Sequence, residues 1–302
     1  MNVSTYLFPL FLIFAISVSV NSVFSDDSTR TQPQPVDAQL ISECMSILRG
    51  GLISEEFWPA MHAAEALTYA GAGSEVIAAL TSRLPDEQDD QRRCGLVREL
   101  YRAGDHSHLQ ILFDVLGNPS SKGRTHAAES LYKIGQTADK KLLREAMNQS
   151  ESIPLQIMAA AALIKAKDSA AMDLVRRQLQ SSDATARNLS AWVIGRHGNK
   201  DDAGPIKTAL QKESVAAPKD EMSVTFLTVS LASLGDSEGR TALVSQLSSP
   251  NPTARAMAAE FAGLSRTTEA LEKLKELLKD SALDVRIRSA QSILALSKAS
   301  SH

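Results

Sequence analysis

The sequence is poor in aromatic residues and in net charge, and each shortage argues against a class of protein. Phe, Trp and Tyr make up 5% of the 302 residues, whereas hydrophobic residues together make up 43%. The core must therefore consist mainly of Ala, Leu, Ile and Val, which disfavours β-sandwiches and barrels and favours closely packed helices. A formal net charge of −3 gives no general attraction to nucleic acid or to acidic membranes. Recognition of a partner must then depend on local groups.

The chain also has only two cysteines, Cys44 and Cys94, too few for a disulfide framework. Both fall within apolar helical patterns, where an unpaired cysteine behaves as a small hydrophobic residue. We expect two buried thiols in preference to a bridge, although export of the protein would permit a bridge.

The N-terminus contains an apolar run, residues 7–20 (LFPLFLIFAISVSV), shorter than the roughly 20 residues that a membrane-spanning helix needs. Val23 and Ser25 are small residues that fit positions −3 and −1 of a signal-peptidase site. We therefore predict that residues 1–25 are a signal peptide, and that the protein is exported to the periplasm or secreted with no membrane span after cleavage. Cleavage after Ser22 and an uncleaved anchor remain alternatives, since no Lys or Arg precedes the run.

The rest of the chain divides into a short tether and a long repetitive region. Residues 26–36 (DDSTRTQPQPV) are polar and rich in Pro and Gln, which predicts disorder. Residues 37–299 have helical patterning and repeat themselves. The clearest pair is HAAEALTYAG, beginning at His62, and HAAESLYKIG, beginning at His126, and their offset of 64 residues equals two units of 32.

One anchor residue recurs in each unit, at steps of 33, 31, 32, 31, 37, 31 and 31 residues. The anchors are Leu67, Leu100, Leu131, Leu163, Ile194, Leu231, Ala262 and Ile293. An insertion around residues 215–220 accounts for the longest step. Each unit is interpreted as a helix of small and apolar residues, a polar turn and a second, amphipathic helix. Trp192, close to the anchor of its unit, is expected to be buried.

A single helical hairpin cannot bury its apolar face, but stacked hairpins share a continuous core. The sequence therefore predicts an all-α fold, an α-solenoid of about eight helical hairpins. Helices that pack at the usual spacing would form an open arc on the order of 70–80 Å long. The segment 37–49 and the last helix are expected to cap its two ends.

The starts of several first helices resemble those of HEAT repeats, specifically the short phycobilisome-lyase-like type. The matching segments are 183–187 (DATAR), 252–255 (PTAR) and 284–286 (DVR), in which Asp or Pro opens the helix and Arg precedes its Ala-rich face. The resemblance covers roughly residues 55–299. It implies the solenoid fold and leaves function open, since many unrelated activities use this scaffold.

Deoxyhypusine hydroxylase, which this chain resembles in fold, binds two irons through His-Glu pairs in its repeats. The corresponding positions here are His62 and His126, each followed by Ala, and the chain contains no His-Glu dipeptide. We therefore predict no metal and no cofactor, and interpret both histidines as half-buried parts of the repeat. We place His106 and His108 in a solvated turn. The sequence also lacks the nucleophile elbow, the P-loop and the dinucleotide fingerprint, so no catalytic residue is predicted.

Basic residues recur on the second helices, three positions before the last apolar residue. They are Arg144, Arg176, Lys207 and Lys275, with Val244 interrupting the row. Second helices usually line the concave surface of HEAT solenoids, so the resemblance implies a basic row there that would bind a partner with an anionic stretch. The alternative is that these side chains flank the apolar stripe and extend into solvent.

The functional prediction is an exported, non-catalytic scaffold that binds a protein or peptide along its concave face, with no nucleic acid involved. A lyase-like or metal-dependent enzyme or enzyme subunit of the HEAT type is the alternative. The sequence leaves the oligomeric state open.

Overall fold

The computed structural model describes residues 37–137, 139–148, 152–216 and 220–299, so the predicted signal peptide (1–25) and tether (26–36) lie outside it. The described residues form sixteen α-helices and no β-strand, which confirms the predicted all-α solenoid. The helices are α1 (Ala38–Leu52), α2 (Phe57–Ala70), α3 (Gly73–Leu80), α4 (Asp90–Ala103), α5 (Gln110–Gly117), α6 (Arg124–Ile134), α7 (Lys140–Met147), α8 (Ile153–Lys165), α9 (Ser169–Gln178), α10 (Ala184–His197), α11 (Ala203–Val215), α12 (Glu221–Ser233), α13 (Ser237–Gln246), α14 (Pro252–Leu264), α15 (Leu271–Leu277) and α16 (Leu283–Ala299).

The even-numbered helices from α2 to α16 are the first helices of the predicted units, and each packs against the next one along the chain. The odd-numbered helices from α3 to α15 are the second helices, and most pack against the first helix before and the first helix after them. The hairpins therefore stack in sequence order, as the repeat predicts.

The two ends of the series meet, because α16 packs against both α1 and α2. Nδ1 of His62 lies 2.6 Å from Oδ1 of Asp284, and Nη1 of Arg288 donates to Oε2 of Glu65 at 3.2 Å. Helix α1 packs against α16 and α2, in the position that a second helix would occupy. The eighth hairpin is therefore formed by α16 and α1, from opposite ends of the repetitive region. The first helices form a closed ring. The expectation of an open arc with separately capped ends is therefore wrong.

Small side chains allow the first helices of the ring to approach closely. The hydroxyl groups of Ser130, Ser230 and Ser292 each donate a hydrogen bond to a backbone carbonyl oxygen of the preceding first helix, at 3.2, 2.7 and 2.5 Å. A Cβ atom on Gly195 would lie 2.9 Å from Cα of Ser230. Larger residues at these positions would push neighbouring helices apart.

The arginines of the HEAT-like segments hold each helix start to its surroundings. Arg187, Arg255 and Arg286 donate from Nη1 to backbone carbonyl oxygens five and six residues earlier. Arg187 also pairs with Glu213, near the end of the following second helix. Arg255 pairs with Asp280, just beyond the end of the second helix that follows it. The motif thus has a structural role in this fold.

Both cysteines are free and buried, as expected. Burial raises the pKa of Cys44 and of Cys94 to about 12. Among the described helices, none combines the length and apolarity needed to cross a membrane.

Candidate ligand-binding cavity

A cavity of about 430 Å³ lies inside the ring, and its wall comes from seven of the eight first helices. No residue of a second helix lines it. The inner, concave surface of the ring is therefore made by first helices, and the second helices lie outside.

The lining residues follow the helical period, one turn apart. The sixth residue of seven first helices contributes: His62, Glu129, Met158, Leu189, Phe226, Met257 and Arg288. The second residue of five contributes: Thr125, Pro154, Thr185, Thr253 and Asp284. Because the second residues stand at helix N-termini, the cavity lies toward the end of the ring where the first helices begin.

The cavity wall has an apolar half and a charged half. Met158, Leu189, Phe226 and Met257, on α8 to α14, form the apolar half together with Trp192. Helices α2, α6 and α16 supply the charged half, to which α14 adds a carboxylate. A ligand in this cavity would meet hydrocarbon on one side and ionised groups on the other.

The charged half continues into a buried ion network. Glu65 contacts Arg102 at 3.0 Å and Arg288 at 3.2 Å, while Glu260 contacts Arg196 at 2.7 Å and Arg288 at 3.5 Å. Burial alone would raise the pKa of Glu65, but Arg102 and Arg288 hold it well below its usual value. The network links α2, α4, α10, α14 and α16. It thus crosses the ring and also its seam, the contact between α2 and α16 that closes the ring.

The His62–Asp284 pair carries a negative charge at neutral pH. Burial, and then the charge of Arg288, lower the pKa of His62, so the imidazole is neutral. Burial opposes the charge of Asp284, but its interactions with His62 and with the charge of Arg288 together outweigh this and lower the pKa of the carboxyl group. Since a carboxylate only accepts hydrogen bonds, Nδ1 of His62 donates to it.

Trp192 is half-buried rather than enclosed in the core, and it lines the cavity. The guanidinium carbon of Arg196 lies 3.9 Å from the centre of its ring and 4.3 Å from that of Phe261. The arginine between two rings fixes the tryptophan and the apolar half beside it.

The four basic residues of the predicted row lie on second helices, and so outside the ring. Arg144, Arg176 and Lys207 pair at 2.9, 2.8 and 2.7 Å with Asp168, Asp202 and Asp236, which are the N-cap residues of the next second helices, and Lys275 pairs with Glu272 at 2.7 Å. Their expected place on the concave surface is wrong, because first helices form that surface. A role in partner binding stays a prediction.

The histidines lie apart from one another in different contacts. His126 stacks on Trp58 with ring centres 5.3 Å apart, and His106 stacks on Tyr101 at 4.2 Å. His62 and His126 are half-buried, as expected. Within the described ranges, no three or more His, Cys, Asp or Glu residues are grouped so as to hold a metal ion.

A family model described as HEAT repeats matches residues 77–153 and 227–295. The chain is a HEAT-repeat protein. The match is compatible with the phycobilisome-lyase-like type without distinguishing it, so this subtype stays a prediction. No curated protein sequence matches significantly.

Several solved structures are similar to this HEAT-repeat chain at low identity. Human deoxyhypusine hydroxylase in complex with glycerol is 16% identical, with 88% of this chain and 100% of that chain covered and a TM-score of 0.42. YibA from Escherichia coli is 17% identical, with 88% and 99% covered and a TM-score of 0.36. An engineered protein is 14% identical, with 85% and 97% covered and a TM-score of 0.33. Likeness of this degree carries no argument about function.

Proposed function

We propose that the protein is exported and acts as a non-catalytic binding module, which holds a protein or peptide partner on the inner surface of its ring. The central cavity would receive a side chain of that partner. The observation that carries the proposal is the cavity itself, with its apolar arc of Met158, Leu189, Phe226 and Met257 facing ionised groups.

The size and lining of the cavity support binding. Its volume of about 430 Å³ falls in the range of ligand sites, which combine a mostly apolar wall with a few polar groups that set orientation. The ion network crosses the ring and fixes the helices before a partner arrives. Such preorganisation lowers the entropy lost on binding.

The ionisation of the cavity acids favours binding over proton transfer. Burial opposes the charge of Glu129, but Lys133 and Arg98 outweigh it and lower its pKa to about 2. The pKa values of Asp284 and Glu260 are also lowered. A general acid or base works best with a pKa near the working pH, and these three carboxylates depart from that condition.

The test uses a variant that blocks the cavity. Thr185 and Thr253 are exposed lining residues at helix N-termini, so replacing both with Trp would obstruct the cavity without disturbing the core. Thr208→Trp with Thr241→Trp is the matched control, because both threonines are exposed on second helices. Circular dichroism and thermal unfolding would establish that both variants fold.

A random peptide library displayed on phage would be selected on the wild type and then measured on both variants. We expect selected peptides to bind the control as they bind the wild type, and to lose at least about tenfold in affinity on the blocked variant. Undiminished binding to the blocked variant, or a library that yields no peptide, would overturn the cavity as the binding site.

The basic row has a separate test in the variant Arg144→Glu, Arg176→Glu, Lys207→Glu. Loss of peptide binding there, with binding retained by the blocked-cavity variant, would move the site to the outer face. Stoichiometric iron or zinc in the purified protein would favour the enzymatic alternative. Export predicts that the protein from its native source begins at Asp26, and a mass matching the full-length chain would contradict cleavage.

A further inference from the structure

We infer that the cavity selects a positively charged group on an apolar stem, as in an arginine or lysine side chain of the partner. The inference rests on the proposed function and adds the charge of the group that is bound. It follows from which charged groups reach the cavity, which of them are already paired, and where the apolar wall lies.

Carboxylates are the more accessible charges in the cavity wall. The side chains of Asp284, Glu129 and Glu260 are 32, 25 and 21% exposed. The two cations of the wall, Lys133 and Arg288, are 17 and 5% exposed. A ligand entering the cavity therefore meets more negative than positive charge.

Pairing leaves Asp284 as the wall carboxylate that contacts no cation directly, although the charge of Arg288 acts on it from a distance. Lys133 lies 2.7 Å from Glu129, and Arg288 is directed to Glu65, Glu260 and Gln291. Asp284 has the neutral imidazole of His62 as its partner on Oδ1, and its Oδ2 makes no hydrogen bond within the described residues. One carboxylate oxygen is thus available to a donor carried by a ligand.

An adjoining cavity extends the negative surface. It has a volume of about 300 Å³ and shares Thr253, Ala256 and Asp284 with the first cavity. Glu56 also lines it, whereas no Lys, Arg or His does. Glu56 precedes α2 without capping it through its side chain. A cation that approaches Asp284 from this side passes one acidic lining residue, Glu56, and no basic one.

The apolar half of the cavity suits the stem of such a group. A flexible alkyl chain gains from burial against Met158, Leu189 and Met257, while its charged end reaches the other half. Phe226 adds an aromatic surface. Methionine side chains adapt to ligands of different shape. The wall therefore selects ligands by their polarity more strictly than by their shape.

Helix N-termini attract anions, and several of them surround this cavity. At α8, α10, α12 and α14, the side chains of Ser152, Asp183, Asp220 and Asn251 accept hydrogen bonds from one or two of the first N–H groups, whereas α2 and α6 have no side-chain cap. An anionic ligand would find part of these donors taken and the carboxylate of Asp284 close by. The balance favours a cation.

The experiment compares three probes of similar shape that differ in charge: 4-phenylbutylamine, 4-phenylbutanol and 4-phenylbutyrate. Calorimetric titration at pH 7 would measure each on the wild type, on Asp284→Asn and on Glu238→Gln, the last being a control acid on a second helix that is 84% exposed. A hydrogen bond to a charged group gives the amine an expected advantage of about tenfold or more over the alcohol. Asp284→Asn should remove this advantage, and Glu238→Gln should retain it.

Equal affinities for the amine and the alcohol on the wild type would overturn the charge selection and leave the cavity as a binding site. Tighter binding of 4-phenylbutyrate, no binding of any probe, or full retention of amine binding by the Thr185→Trp, Thr253→Trp variant would also overturn it. The wild-type comparison needs no variant to fold. Failure of the proposed function would appear separately, in the peptide selection.

Discussion

Closure of the ring can be tested through the energetic coupling between Glu65 and Arg288. These residues are 223 positions apart in sequence, and their side chains meet at 3.2 Å in the buried seam. In an open solenoid they would stand at opposite ends. Substitutions at distant sites add in free energy to within about 0.5 kcal/mol, whereas substitutions within one ion network do not.

The perturbation is a double-mutant cycle of Glu65→Gln and Arg288→Met. Removing Arg288 takes one of two cations from each of Glu65 and Glu260, which keep Arg102 and Arg196. Breaking a buried pair destabilises by about 3–5 kcal/mol, and the remaining cations place the expected loss at the lower end, about 3 kcal/mol. When Glu65→Gln has already removed the carboxylate, loss of Arg288 should lower the free energy of unfolding by less than it does in the wild type. We expect the double variant to be at least about 1 kcal/mol more stable than additivity predicts.

Urea unfolding at pH 7, followed by circular dichroism at 222 nm, would supply the four free energies of unfolding. Arg187→Met combined with Glu65→Gln serves as the control cycle, because Arg187 pairs with Glu213 on the opposite side of the ring. The control cycle should be additive. Additivity of the Glu65 and Arg288 substitutions as well would refute ring closure in solution.

Three further predictions concern packing, thiols and the chain ends. Gly195→Ala should destabilise the protein by about 1–3 kcal/mol in urea unfolding, since its Cβ would approach the backbone of Ser230, whereas Gly204→Ala has open space and should have no such effect. Cys44 and Cys94, with pKa values raised to about 12, should resist a thiolate-specific reagent at pH 8 and both react after unfolding; fewer than two reactive thiols in the unfolded chain would indicate a bridge. Amide hydrogens of α1 and α16 should exchange as slowly as those of α8, because closure leaves no free end, and fast exchange confined to α1 and α16 would contradict this.

The hairpins and their number could be predicted because each unit is encoded locally. The anchors Leu67, Leu131 and Leu163 are fully buried, as a repeated core position should be. The arginines of the HEAT-like segments also act locally, holding the turn before their own helix. Features that depend on such local contacts can be predicted from the sequence of a single repeat unit.

The cavity had a signal in the sequence that the resemblance obscured. Met158, Leu189, Phe226 and Met257 are large apolar residues that each stand five residues before the anchor of their unit. The resemblance to HEAT solenoids predicts that second helices line the concave surface, and it therefore favours the basic residues on those helices as the site. Those residues instead pair with the acids of neighbouring units, so the regular spacing of the row reflects the regular stacking of hairpins.

Closure had no comparable signal, since it depends on the small rotation that each unit adds to the one before it. No motif shows the sum of these rotations. Glu65 and Arg288 are ordinary charged residues in sequence, and only their meeting at the seam pairs them. The same holds for His62 and Asp284, whose charge state depends on a contact that spans the whole series.

Closure also makes the site, because the two helices that meet at the seam, α2 and α16, supply part of its charged half. His62 comes from α2, and Asp284 and Arg288 come from α16, while the apolar half comes from the middle of the chain. An open ring would separate α2 from α16 and divide the charged half. A ligand that contacts both halves therefore binds the closed form in preference, and it stabilises that form by RT ln(1 + [L]/Kd). Substitutions that weaken the seam, such as Glu65→Gln, should accordingly weaken ligand binding even though Glu65 does not line the cavity.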